Sequence, residues 1–144
     1  MCWLAAADAT SATPLDAALT LRPELAALYR QFRVLPHERA LVPAEPLALG
    51  RLRIAMLHGC PPADTDPALL AALAEWPAAS RFGAADRAVL AIAEKLPWRQ
   101  HEISDAEVAA AVTAFGEPGC VALLVALALA DAECRLNLVF MSPG

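Results

Sequence analysis

The chain has 144 residues, of which 58% are apolar and 19% are charged, and its formal net charge is −5. An acidic chain without a basic cluster lacks the charge pattern that binds phosphate backbones or anionic lipid, so nucleic acid and membrane partners are not expected. The length suits one domain with its own core. The apolar fraction exceeds the usual value of about 45–50%, which predicts self-association that covers apolar surface.

The N-terminus and the cysteines predict a cytoplasmic protein without a metal or another cofactor. Residues 1–8 contain no basic residue ahead of a short apolar run, unlike a secretory signal. The longest uncharged apolar run, residues 120–130, is about half of the roughly 20 residues that a membrane span requires, which predicts a buried helix. The four cysteines are Cys2, Cys60, Cys120 and Cys134. They lack Cys-x-x-Cys spacing, so neither a zinc site nor a disulfide scaffold is expected.

The first third of the chain predicts an arm followed by two helices. Residues 1–13 lack sustained periodicity, so we expect an N-terminal arm and then one domain over residues 14–144. From Pro14 onward apolar residues recur at intervals of three and four, and Pro23 stands where a first helical turn tolerates proline. This pattern predicts one short and one longer helix.

The next segment predicts a buried helix that ends at a glycine. Between residues 46 and 58 apolar residues surround most of the helix, and Arg51 and Arg53 are the only charged ones. Gly59 can adopt the left-handed angles that close a helix. Cys60 follows at a break rich in glycine and proline.

Further helices are predicted over about 67–75, 84–96, 104–115 and 120–140. Asp66 is an N-cap acceptor followed by Pro67, and because Pro67 cannot lie deep inside a helix, we expect a restart at Asp66 and no continuous helix through 60–75. Ser104 and Glu107 form a capping box. No strand pattern or internal repeat occurs in the sequence. The predicted fold class is all-α, with about six helices in one domain.

Several segments, through their order and spacing, carry a resemblance to a known family. They are residues 52–60, similar to an apolar helix that ends in Asn-Gly-Cys, residues 73–76 and 86–94, Phe82, Ser104-Asp105 and Arg135. Together they resemble the carboxymuconolactone decarboxylase and alkylhydroperoxidase D-like proteins, in particular the peroxidase-related branch. The resemblance spans about residues 21–140. It implies an all-α fold that assembles into trimers or hexamers, and a thiol-dependent peroxidase activity.

Transfer of the family's catalytic motif onto this sequence predicts a degenerate site. The resemblance implies a Cys-x-x-Cys-x-x-x-His motif with a glutamate twelve residues before it. Its first cysteine falls on Cys60, but the second falls on Ala63, the histidine on Pro67 and the glutamate on Ala48. Peroxide reduction requires a thiolate, a second thiol and then reduction of the disulfide. We therefore expect Cys60 to be at most a one-cysteine site, without ordinary two-cysteine turnover.

Cys60 and His58 are the candidate catalytic residues. A thiol at a helix N-terminus is activated, and Gly59 interrupts the helix so that His58 can contact Cys60. The alternatives are that Cys60 is a small buried residue and that His58 bonds a backbone carbonyl. Whether Cys120 or Cys134 reaches Cys60 is open at this point.

Two other function classes fit the sequence. One is acid–base chemistry on a small lactone or acid, in which His58 works with Arg53 or Asp64 in a common pocket. The other is a non-catalytic homo-oligomer that acts as a scaffold or encloses an apolar ligand. We expect His37 and His101 at the surface. The predicted partners are copies of the chain itself and a small apolar or peroxide substrate.

Overall fold

The computed structural model describes Leu4, Ala7 and residues 10–141. Over these residues the chain forms six α-helices and no β-strand, which confirms the predicted all-α class. The helices are α1 (Pro14–Leu19), α2 (Pro23–Val34), α3 (Ala44–Leu57), α4 (Pro67–Ala74), α5 (Ala84–Lys95) and α6 (Asp105–Phe140). Two 3-10 segments, Leu35–Ala40 and Gln100–Glu102, precede α3 and α6. Most of the predicted arm over residues 1–13, including Cys2, lies outside the described residues.

Local capping signals set the starts of α4 and α6. The Ala68 N–H donates to Asp66 Oδ1 at 3.0 Å, and residues 60–66 are not helical, which confirms the predicted restart at Asp66. The Ser104 N–H donates to Glu107 Oε2 at 2.8 Å, and the Glu107 N–H donates to Ser104 Oγ at 3.3 Å. The predicted capping box is therefore confirmed.

Two predicted boundaries differ in detail. Helix α3 begins at Ala44, so Pro46 lies in its first turn, where the missing N–H of proline removes no helical hydrogen bond. The break predicted over residues 116–119 is confined to Gly116, whose φ of 75° and ψ of 170° are not helical. Pro118 then lies in the first turn of the second part of α6, so the two parts meet at a kink.

The main core lies where α3, α5 and α6 pack against one another. Its fully buried side chains include Ile54, Val89, Ile92, Leu123 and Leu127. Gly50 allows the close approach, because a Cβ atom there would lie 2.5 Å from Val89 Cγ1 and 2.9 Å from Leu127 Cδ2. The C-terminal end of α3 is thereby held beside the second part of α6.

A smaller core of Leu73, Phe82 and Leu90 lies beneath α4. Arg87 fixes the loop beside it. Its Nε donates to Phe82 O at 3.0 Å, and its guanidinium donates to Pro77 O at 3.0 Å and to Ala79 O at 2.5 Å. One charged side chain therefore satisfies several loop carbonyls at once.

Among the described helices, α6 is long and apolar enough to cross a membrane by length and composition, with a mean hydropathy of 1.9 in its most apolar window. About a quarter of that window, 28%, is buried within the fold. A core helix of a soluble protein can satisfy the same criterion, and α6 packs on α1, α3 and α5. The expectations of a cytoplasmic location and of no membrane partner stay predictions.

Candidate functional site

The end of α3 fixes the position of Cys60 through the backbone. Gly59 has a φ of 72°, and its N–H donates to Met56 O at 3.0 Å. The Cys60 N–H donates to Ala55 O at 2.9 Å. These two bonds form a Schellman motif, in which a left-handed residue lets the following amide satisfy a free carbonyl of the last turn. Half-buried Cys60 is therefore held directly against the end of α3.

The expected activation of the Cys60 thiol depended on a position at a helix N-terminus. Cys60 does not lie at such a position. Helix α4 begins at Pro67, and Cys60 follows the carbonyl end of α3. The helix dipole is negative at that end and opposes a nearby thiolate. A reactive Cys60 therefore needs a different stabilising neighbour.

Cys134 in α6 is the other thiol that lines the cavity at Cys60, and both residues are half-buried free thiols. Burial, followed by the charge of the neighbouring Cys60, raises the pKa of Cys134 to about 12. Cys134 thus keeps its proton at neutral pH. Cys120 is buried in the main core and does not line the cavity at Cys60.

Both thiols line one open cavity of about 830 Å³. The cavity lies between α3, α6 and the segment that leads into α4. Its apolar wall includes Leu47, Leu52, Ala55 and Leu69, and its polar lining includes His37, Arg51, Asp64, Glu133 and Asn137. A small molecule in this cavity can therefore reach both sulfur atoms.

Glu133 is the ionisable group that is most firmly held in this cavity. Its Oε1 accepts a hydrogen bond from the Tyr29 hydroxyl at 2.6 Å and lies 3.2 Å from Arg33 Nε. Burial, together with the hydrogen bond to Glu133, raises the pKa of Tyr29 well above its ordinary value, so Tyr29 stays a donor. Glu133 Oε2 lies 3.7 Å from Arg51 Nη2, too far for a hydrogen bond. Oε2 therefore has an ion-pair partner but no hydrogen-bond donor among the described residues.

His58 belongs to a separate buried cluster. Its side chain is 5% exposed, and its Nε2 lies 2.6 Å from Asp131 Oδ1. Because a carboxylate only accepts, Nε2 carries the hydrogen of this bond. The His58 ring packs on Trp98 at 4.7 Å between centroids, and Arg135 Nε donates to Asp131 Oδ2 at 3.0 Å. His58 does not line the cavity of the thiols.

The structure does not bring His58 together with Arg53 or Asp64. Arg53 forms two bonds to Glu94, Nε to Oε2 at 2.6 Å and Nη2 to Oε1 at 3.1 Å, and Trp76 Nε1 donates to the same carboxylate at 3.3 Å. Burial alone would raise the pKa of Glu94, but the bonds from Arg53 outweigh it and hold that pKa below its ordinary value. Asp64 lies in the cavity that His58 does not reach. The cavity of the two thiols therefore contains one of the three residues named in the acid–base hypothesis, Asp64, and neither His58 nor Arg53.

The sequence analysis identified Cys60 but not Cys134 or Glu133 as site residues. A signal for both existed, because the uncharged apolar run over residues 120–130 of α6 is followed by a polar stretch over residues 131–137. Charged side chains within an apolar helix require partners, so such a stretch marks a polar contact.

Of the remaining histidines, His37 is exposed and lines the cavity, and His101 is exposed elsewhere. Residues 10–141 contain no cluster of three or more His, Cys, Asp or Glu side chains suited to a metal.

Comparisons of the chain with family models, with curated proteins and with solved structures gave no match. The resemblance to the alkylhydroperoxidase D-like proteins, and with it the expected trimer or hexamer, stays a prediction. A functional assignment therefore has to come from the geometry around Cys60.

Proposed function

We propose that the chain is a thiol-dependent oxidoreductase in which Cys60 reduces a hydroperoxide and Cys134 then forms a disulfide with it. The observation that carries this proposal is that the two thiols line one open cavity, close enough for the charge of Cys60 to raise the pKa of Cys134. The expectation of a one-cysteine site depended on Ala63, which stands where the family has its second cysteine. In this proposal Cys134 takes that role from a different helix.

The reaction balances in three steps. The Cys60 thiolate attacks the terminal oxygen of a hydroperoxide, the O–O bond breaks, and the departing alkoxide takes a proton to leave as an alcohol, with a sulfenic acid at Cys60. Cys134 loses its proton and attacks the Cys60 sulfur, so that a disulfide forms and the sulfenic oxygen leaves as water. An external dithiol reduces this disulfide by exchange and becomes a disulfide itself.

The second step needs a proton acceptor, because the pKa of Cys134 is raised to about 12. Asp131 is occupied by His58 and Arg135. Glu133 lines the cavity, and its Oε2 has no hydrogen bond to any described residue and only the ion pair with Arg51 at 3.7 Å, while Tyr29 holds the other carboxylate oxygen. We assign Glu133 as the group that accepts the proton of Cys134.

The cavity supports an organic hydroperoxide as the substrate. Its volume of about 830 Å³ lies in the range of small-molecule sites and is far larger than hydrogen peroxide. Leucine, alanine and proline side chains form its apolar wall, which favours an apolar group next to the peroxide. This agrees with the predicted small apolar or peroxide substrate.

We also propose that the chain is an oligomeric alkylhydroperoxidase D-like protein with a degenerate motif. The all-α class and the order of the similar segments support this assignment. Exposed leucines on α2 support self-association, since Leu25 is 50% and Leu28 is 65% exposed.

The test is hydroperoxide consumption by the reduced full-length protein, with cumene hydroperoxide as substrate and dithiothreitol as the electron donor. We expect multiple turnovers for the wild type and none for Cys60→Ser. In a single-turnover reaction without dithiothreitol, pre-reduced Cys134→Ser should complete one reduction and retain a sulfenic acid at Cys60 that dimedone traps for mass spectrometry. Cys120→Ala is the matched control and should turn over like the wild type. Equal consumption by wild type and Cys60→Ser, or oxidation without a Cys60–Cys134 disulfide, would contradict the proposal.

A further inference from the structure

We infer that His58 and Asp131 are positioning residues for the thiol pair. Their contact holds the end of α3 on α6 and thereby sets how readily Cys60 and Cys134 join as a disulfide. The inference rests on the proposed function, because it requires that the disulfide forms.

The His58–Asp131 contact and the thiol pair lie side by side between the end of α3 and α6. His58 is the C-cap residue of α3 and precedes Cys60 by two residues, while Asp131 precedes Cys134 by three in α6. Residues three apart lie on the same face of a helix, so both α6 residues face the end of α3. The distance of 2.6 Å between His58 Nε2 and Asp131 Oδ1 therefore restricts the backbone that leads into Cys60.

The contact is largely shielded from solvent, and neighbouring side chains pack on it. The side chains of His58 and Asp131 are 5% and 17% exposed. Trp98 covers the His58 ring, and the Arg135 guanidinium lies 5.6 Å from the centre of the Trp98 ring. Arg135 also donates to Pro97 O at 2.6 Å, which ties the cluster to the end of α5. These contacts connect the residue before the Gly59 turn to α6 and to the end of α5.

This geometry affects redox chemistry through the effective concentration of one thiol at the other. A contact that already holds the two segments together reduces the entropy lost when the S–S bond forms. The His58–Asp131 bond and the Cys60–Cys134 disulfide are therefore coupled, and each stabilises the other by the same free energy. Loss of the His58 bond should leave the folded protein with a less stable disulfide.

The experiment measures the equilibrium between the dithiol and the Cys60–Cys134 disulfide in glutathione redox buffers, using the full chain. We expect His58→Ala to lower the equilibrium constant about tenfold, which corresponds to about 30 mV for a two-electron couple. His58→Gln retains an N–H near the position of Nε2 and should restore most of the loss. Arg87→Gln is the control, since it removes the bonds of a loop beside α4 and should leave the constant within about twofold of wild type.

The outcomes separate this inference from the proposed function. Equal constants for wild type and His58→Ala would contradict the inference alone. A wild-type protein that forms no Cys60–Cys134 disulfide would contradict the proposed function itself. If His58→Ala does not fold, Trp98→Ala decides, because Trp98 is 53% exposed and its truncation leaves the core intact. Trp98→Ala frees the His58 ring and should lower the equilibrium constant for the Cys60–Cys134 disulfide about threefold. An unchanged equilibrium constant in this variant would contradict the inference.

Discussion

Glu133 Oε2 faces Arg51 Nη2 across 3.7 Å in the cavity that contains the two thiols. The other carboxylate oxygen is held by Tyr29 at 2.6 Å and by Arg33 at 3.2 Å. The carboxylate is therefore fixed through one oxygen and available through the other. This asymmetry suits a group that must accept a proton at a defined position.

Glu133→Gln should slow the closure of the disulfide much more than the first reaction of Cys60 with peroxide. Glutamine keeps an oxygen for the Tyr29 hydrogen bond but cannot accept a proton from Cys134. Loss of a general base typically slows a step about 100-fold or more, and we expect that scale for sulfenic acid decay. Stopped-flow mixing with one equivalent of hydroperoxide, with dimedone trapping over time, resolves the two steps.

The matched control for this variant is Asp64→Asn. Asp64 is exposed, lines the same cavity and has no hydrogen bond or ion pair to another described residue. Its loss removes the same charge from the cavity without removing the proposed base. Equal slowing of disulfide closure by both variants would show that cavity charge, rather than Glu133, sets the rate.

Alkylation should distinguish the two cysteines by pH. Since the pKa of Cys134 is raised to about 12, iodoacetamide at pH 8 should modify Cys60 well before Cys134. The charge of Cys60 contributes to that shift after burial, so Cys60→Ser should lower the pKa of Cys134 and accelerate its labelling severalfold at pH 9. Peptide mass spectrometry follows each site, and Cys120 in the same samples reports unfolding. Labelling of Cys134 at the same rate in both proteins would contradict the contact.

Acid should weaken the link between α3 and α5. The pKa of Glu94 lies below its ordinary value in the folded protein. The ion pair with Arg53 therefore stabilises the fold fully at any pH above the pKa that Glu94 has in the unfolded chain. This contribution is lost as the pH falls through the pKa that Glu94 has in the folded protein. Glu94→Gln should therefore cost about 1 kcal/mol at pH 7, and the difference from wild type should vanish in acid. Urea unfolding between pH 7 and pH 3 measures this. Glu102→Gln, from an exposed pair with Arg99, should show no such pH dependence, and a constant Glu94→Gln difference would contradict the prediction.

Gly50→Ala should destabilise the main core. A Cβ atom would meet Val89 Cγ1 at 2.5 Å and Leu127 Cδ2 at 2.9 Å, so α3 must move away from its neighbours. Overpacking of this kind costs about 1–3 kcal/mol. Gly83→Ala is the control, because its Cβ would meet no atom closer than 4.0 Å. Chemical denaturation compares the two, and a Gly50→Ala protein as stable as the Gly83→Ala protein would contradict the prediction.

Local signals predicted the helix ends, while the site depends on packing between distant segments. Asp66, Ser104 and Gly59 each bond backbone groups a few residues away or take a special φ, so their roles can be read from short stretches. The approach of Cys134 to Cys60 depends instead on how closely α3 and α6 pack, which no local spacing contains. His58 lies two residues from Cys60 but bonds elsewhere, because the left-handed Gly59 redirects the chain between them.

Self-association should depend on one face of α2. Leu25, Leu28 and Phe32 recur at helical spacing and are 50%, 65% and 49% exposed. A row of large apolar side chains in water is covered in many homo-oligomers, so we expect light scattering after size exclusion to give a multiple of the chain mass. Leu28→Glu should shift the protein to the monomer, because a charge in an apolar interface loses its hydration. Ala27→Glu adds the same charge to an exposed position on a different face of α2 and should leave the oligomer intact. A monomeric wild type at tens of micromolar, or a Leu28→Glu protein of unchanged mass, would contradict this prediction.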